Sequence, residues 1–126
     1  MAITYNVRQV REITVVDLGG KITLGETIAS GAGSGLTLHE FIRDLLKAGY
    51  KDILLNFRDV PYVDSSGIGE LFGCHTTVRS QGGLLKLTNP NERVRNLLHL
   101  TRLHSVLEVS EEEATAIQTW SKSGVA

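Results

Sequence analysis

The chain has 126 residues, 41% of them hydrophobic and 21% charged, with a formal net charge of −1. That length suits one domain with a real hydrophobic core, and near-neutrality gives no bulk electrostatic drive toward nucleic acid or an acidic membrane. The single cysteine, Cys74, excludes an internal disulfide and a cysteine metal cluster. No apolar run approaches the roughly 18 residues that span a bilayer. The start Met1-Ala2-Ile3-Thr4-Tyr5-Asn6 lacks the basic-then-apolar pattern of a signal peptide, so the cytoplasm is the expected location.

In chain order, Ile3 to Val10 and Ile13 to Leu18 alternate and are rich in β-branched residues, which predicts two strands joined tightly as an antiparallel pair. Gly19-Gly20 is a turn, and Lys21-Ile22-Thr23-Leu24 a short extended piece. Gly25 to Gly35 is low in complexity and reads as a flexible loop. Thr37 with Glu40 forms a capping box for a helix that lines one face with Leu38, Phe41, Ile42, Leu45 and Leu46 and ends at Gly49. Lys51 to Phe57 is apolar enough to be a strand buried on both faces. A central helix runs from about Ser66 to Gln81 with Ile68, Leu71, Phe72, His75 and Val78 at helical spacing, stopped by Gly82-Gly83. Leu84 to Thr88 is the next strand. Asn89-Pro90-Asn91-Glu92 reads as cap, first-turn proline and third-position glutamate of a helix carrying Val94, Leu97 and Leu98 and ending near Thr101. Val106 to Val109 is a short strand. Ser110 and Glu113 suggest a capping box for a last helix docked by Ala114, Ile117 and Trp120, with fraying expected over 121–126. A hairpin followed by strand–helix alternation predicts an α/β fold whose mixed sheet is covered by about four helices.

The segment Val63-Asp64-Ser65-Ser66-Gly67-Ile68-Gly69 stands at a strand-to-helix junction. Either serine can cap the helix. Gly67, Gly69 and Gly73 weaken its first turns, at about 1 kcal/mol each relative to alanine. Two justifications are open: tight packing of the helix on its own sheet, or close approach of a ligand or partner backbone to the serines.

Asp64-Ser65-Ser66-Gly67-Ile68-Gly69, between an apolar strand and Gly82-Gly83-Leu84-Leu85-Lys86-Leu87, resembles the STAS domain, and more narrowly the bacterial anti-sigma factor antagonists. The similarity runs from about residue 13 to 107, so a single STAS domain over 1–126, with a core over 3–120, is expected. The resemblance implies a binding protein without catalysis, cofactor or metal, acting as a monomer or weak dimer. It implies that Ser65 is phosphorylated by an anti-sigma factor that is also a serine kinase, that Ser66 caps the helix, and that a metal-dependent serine phosphatase removes the phosphate. The partner-binding residues carried over are Asp64, Ser65, Ser66, Gly67, Ile68, Gly69 and Thr23. Thr23 departs from the family, whose members usually carry an aspartate near this point, and the loop over 25–35 is longer than the family pattern. The alternative is a STAS interaction or scaffold domain that is never phosphorylated.

Other chemistries fit poorly. Ser65, His75 and Asp64 are triad residue types, but the Gly-x-Ser-x-Gly elbow is absent and His75 lies nearly three turns down the helix. His39, His75, His99 and His104 fall at no metal-ligand spacing; His75 is expected in the core, the other three at the surface, and Cys74 buried and inert. Gly31-Ala32-Gly33-Ser34-Gly35 precedes a helix as nucleotide loops do, yet has Leu36 where a third glycine is required and no Gly-Lys-Ser/Thr. Arg79, Lys86, Arg93, Arg95 and Arg102 form a basic stretch with no interleaved aromatic, read as a solvated face rather than a nucleic-acid site.

Overall fold

The computed structural model describes residues 2–120; the fraying end expected at 121–126 lies outside them. Strands β1 (Thr4–Val10) and β2 (Ile13–Gly19) form the expected antiparallel hairpin. After them come α1 (Leu38–Lys47), β3 (Ile53–Asp59), α2 (Ser65–Ser80), β4 (Leu85–Thr88), α3 (Glu92–Leu100), β5 (Glu108–Ser110) and α4 (Glu113–Gln118). The five strands lie in sequence order, and β2 through β5 pair in parallel. Each parallel connection carries a helix across the sheet, so the carboxyl ends of the strands and the N-termini of the following helices gather at one edge.

Alternation along the strands sorts the core into two layers. Val16 and Leu18 of β2 and Ile53, Leu55 and Phe57 of β3 pack with Leu38, Phe41 and Ile42 of α1, Leu71, Cys74 and Val78 of α2, and Val94 and Leu98 of α3. The intervening Ile13, Val15 and Leu54 meet Ala116 and Ile117 of α4 on the other face. β3 is therefore buried on both sides, as its apolar run predicts. In α4 the docking residues are Ala116, Ile117 and the half-buried Trp120, while Ala114 is exposed.

The Thr37–Glu40 capping box is present in both directions. Two other expected caps are displaced. α3 is capped by Asn91, whose side chain accepts from the Val94 N–H, rather than by Asn89. Asn89 takes a left-handed φ of +58° and donates instead to the Asn56 side chain. Ser110 belongs to β5, and α4 begins after Glu112 with no side-chain cap. Glu113 is drawn off by Arg8, whose guanidinium binds both of its oxygens and both of those of Asp17.

Two surface expectations are corrected as well. The loop over 25–35 is folded onto the body: Ile28 is buried, bridges Ile3, donates to the Leu36 carbonyl and accepts from the Gly35 N–H. Lys86 is only 4% exposed and bridges Glu108 at 3.1 Å beneath the Trp120 ring. The basic stretch is thus split between a buried strand residue and helix residues such as Arg95, which pairs with Glu111.

Candidate functional site

At the carboxyl edge, the chain leaving β2 and the chain leaving β3 run side by side. Ile22 donates to the Tyr62 carbonyl at 3.0 Å, and Asp64 donates to the Ile22 carbonyl at 3.3 Å. These bonds make a single parallel bridge, Ile22 to Val63, where a longer extended piece over Lys21–Leu24 was expected. The bridge carries Thr23 and Leu24 up against the start of α2.

Asp64, rather than either serine, is the N-cap of α2. Its backbone is extended (φ −96°, ψ −173°) and its Oδ1 accepts from the Gly67 N–H at 2.9 Å. Ser65 and Ser66 follow as the first two helical residues, so neither hydroxyl serves as the cap. The sequence offered only the serines as caps, and Ser66 as the one the resemblance implies; the bridge at Ile22 gives the place to Asp64 instead, by fixing its extended backbone. The second oxygen, Oδ2, accepts from the Leu24 N–H at 3.1 Å. These amides, Gly67 first, hold the Asp64 carboxyl below its ordinary value.

Ser65 is exposed, while Asp64, Ser66, Ile68 and Thr23 are half-buried and Gly67 is buried. The glycines divide between the two justifications. A Cβ on Gly67 would strike the Ile22 carbonyl and Val63, so this glycine lets α2 sit on the β2 exit. A Cβ on Gly73 would stand 2.9 Å from the His39 ring, which inserts between α1 and α2. A Cβ on Gly69 would meet nothing within 4 Å. Packing accounts for Gly67 and Gly73, and Gly69 leaves open space one turn from Ser65.

The packing at Gly67 also sets the rotation of α2. Its buried stripe is Gly67, Leu71, Cys74 and Val78, and Phe72, expected inside, is 53% exposed. Phe72, His75, Thr76 and Arg79 instead line a shallow surface groove with Val106. His75 is half-buried, with Nδ1 enclosed and unpartnered, and burial lowers its pKa. Ten residues of helix separate it from Ser65, about 15 Å along the axis, so the two cannot act as base and nucleophile. His39 was expected at the surface, but its ring nitrogen reaches Thr77 Oγ1 at 2.8 Å, and its backbone N–H donates to Glu70 at 3.0 Å. Cys74 is buried, and its thiol is pushed up by burial. Among the described residues no three His, Cys, Asp or Glu side chains lie close enough to hold a metal, and no helix is long and apolar enough to cross a membrane.

Sequence reasoning missed Leu24. It is 79% exposed beside the Asp64 cap, and the only signal for it was an apolar residue in a polar loop.

A model of the STAS domain matches residues 4–116. The chain is 30% identical over 118 residues to the anti-sigma-B factor antagonist of Bacillus subtilis, covering 94% of this chain and all of that protein. Its fold is similar to that of an anti-sigma factor antagonist from Mycobacterium paratuberculosis, with a TM-score of 0.73 at 16% identity, over 93% of this chain and 92% of that one. It is similar also to the Bacillus protein SpoIIAA in its phosphorylated form, with a TM-score of 0.59 at 20% identity, over 92% of this chain and 99% of that one. The matched span takes in every strand, the first three helices and the start of the fourth, with the Asp64–Gly69 junction inside it: the chain belongs to the STAS domain family.

Proposed function

We propose that this chain is an anti-sigma factor antagonist working as one STAS unit in the cytoplasm, switched by phosphorylation of Ser65. Unmodified, it binds an anti-sigma factor that is also a serine kinase, through Ser65, Asp64, Ser66, Ile68, Gly69 and Thr23. Gly67, expected among the contacts, is buried against Ile22 and Val63 and supports those residues from beneath. Phosphorylated, it lets that partner go, and a metal-dependent serine phosphatase restores it. The observation that carries the reading is the exposed Ser65 at the first position of α2, beside the open surface at Gly69. The name of the Bacillus subtilis relative supports the choice of partner.

The physics of the switch is local. A phosphate brings about −1.5 to −2 charge, and at a helix N-terminus the dipole contributes roughly 0.3–1 kcal/mol in its favour, so the fold is unaffected. Under a covering partner the same phosphate stands beside the ionised Asp64 and must shed water. A hundredfold release requires about 2.7 kcal/mol, which a desolvated, unpaired charge readily supplies.

Titration calorimetry against the cognate anti-sigma factor tests this. Ser65→Ala should bind within a few-fold of the parent, and Ser65→Asp at least about tenfold more weakly, one carboxylate being a weaker mimic than phosphate. Equal binding by Ser65→Asp and the parent would remove charge exclusion as the mechanism.

A further inference from the structure

The sheet has two edges, β1 and β5. β5 is three residues long, whereas β1 runs for seven. The backbone of Ile3 points away from β2: its N–H donates to the Thr27 carbonyl at 2.9 Å and its carbonyl accepts from the Ala29 N–H at 2.8 Å. Strand backbone groups alternate sides. Tyr5, Val7 and Gln9 therefore also turn their N–H and C=O groups outward, while Thr4, Asn6, Arg8 and Val10 bond toward β2. The segment around Ile28 covers this edge at Ile3 through one isolated bridge.

Natural edge strands carry devices that discourage pairing: proline, bulges, charged side chains, or a loop laid over the edge. The β1 sequence Thr-Tyr-Asn-Val-Arg-Gln-Val has no proline, and its register with β2 is unbroken. Its one charge, Arg8, is held against Asp17 and Glu113. Val7 at the centre is 36% exposed.

We propose that β1 pairs antiparallel with β1 of a second copy about a two-fold axis at Val7, joining the two sheets into one. In this register Val7 exchanges both backbone bonds with Val7 of the second copy, and Tyr5 does so with Gln9, so each outward N–H meets a carbonyl. Arg8 falls beside Asn6. Sliding the pair by one step toward the C-terminus sets Arg8 against Arg8, and sliding it the other way calls on Ile3, whose backbone is already bonded. The symmetric register alone uses all three outward residues without opposing like charges, and that self-complementarity selects a second copy as the occupant.

Sedimentation equilibrium of the full chain, from micromolar to millimolar, is the test. Val7→Pro deletes an outward N–H while leaving the β1–β2 bonds in place; Val7→Lys puts two ammonium groups at the axis and keeps the N–H. The parent mass should rise with concentration toward twice that of one chain, and each variant should raise the dissociation constant by about tenfold or more. Circular dichroism confirms that each variant is folded, and Val7→Lys suffices if the proline variant is not. A parent that stays monomeric throughout, or a dimer equally tight in the folded variants, overturns the proposal.

Discussion

Asp64 fastens two segments with one carboxylate: Oδ1 accepts from the Gly67 N–H at 2.9 Å, and Oδ2 from the Leu24 N–H at 3.1 Å. The residue is both the cap of α2 and the tie that holds the β2 exit beside Ser65. Removing a side-chain cap costs about 0.5–2 kcal/mol, so Asp64→Ala should lower unfolding free energy by about that amount in urea titrations. The Leu24 amide should also exchange with solvent faster in the variant. Because the folded carboxyl lies below its ordinary 3.8, the contribution is complete above that pH and fades as pH falls through the lower folded value.

Gly67 and Gly69 should answer alanine in opposite directions. At Gly67 the new methyl strikes the Ile22 carbonyl, a backbone atom that cannot swing aside, and overpacking of this kind costs about 1–3 kcal/mol. At Gly69 nothing stands within 4 Å, so the gain in helix propensity, up to about 1 kcal/mol, is kept. Thermal melts of the two variants check the signs. If a partner covers this turn, Gly69→Ala should weaken its binding even as it stabilises the free protein.

The Arg8 cluster predicts an acid-sensitive attachment of α4. Hydrogen bonds from Arg8, with help from Asn56 and Asn6, bring the Asp17 carboxyl from 3.8 down to about 2, and Arg8 likewise lowers Glu113. Both folded values are depressed, so the stabilisation is fully present above the ordinary carboxylate range and is lost as pH falls through about 2 for Asp17. Arg8 is over a third exposed, and after allowance for solvent screening the loss is roughly 1–2 kcal/mol. Urea unfolding between pH 5 and pH 2 should steepen for the parent and flatten for Asp17→Asn.

Ser65 is exposed and outside the capping bond. Ser65→Ala and Ser65→Asp should therefore keep unfolding free energies within about 0.5 kcal/mol of the parent. A larger loss would mean that the hydroxyl supports the fold.

Where information is local, the sequence carried it. The antiparallel hairpin of β1 and β2, the apolar run of β3 and the Thr37–Glu40 box all formed as expected. The errors came from long-range partners. Glu113 looked like a capping residue because nothing nearby in sequence reveals Arg8, 105 positions away. Lys86 looked solvated, yet strand pairing sets it against Glu108, where the ion pair compensates its burial. The α2 stripe was misphased because rotation follows the contact of Gly67 with Ile22, which spacing alone does not encode. At the site, the residues were legible as a group, but the division of labour between Asp64 and the serines depended on the Ile22–Val63 bridge.

The central claim concerns one hydroxyl, and intact-mass spectrometry after incubation with the cognate anti-sigma factor kinase and ATP addresses it most directly. The parent should gain about 80 Da, the mass of one phosphoryl group, and Ser65→Ala should gain nothing. An unchanged parent mass, or the same gain in Ser65→Ala, would contradict the account.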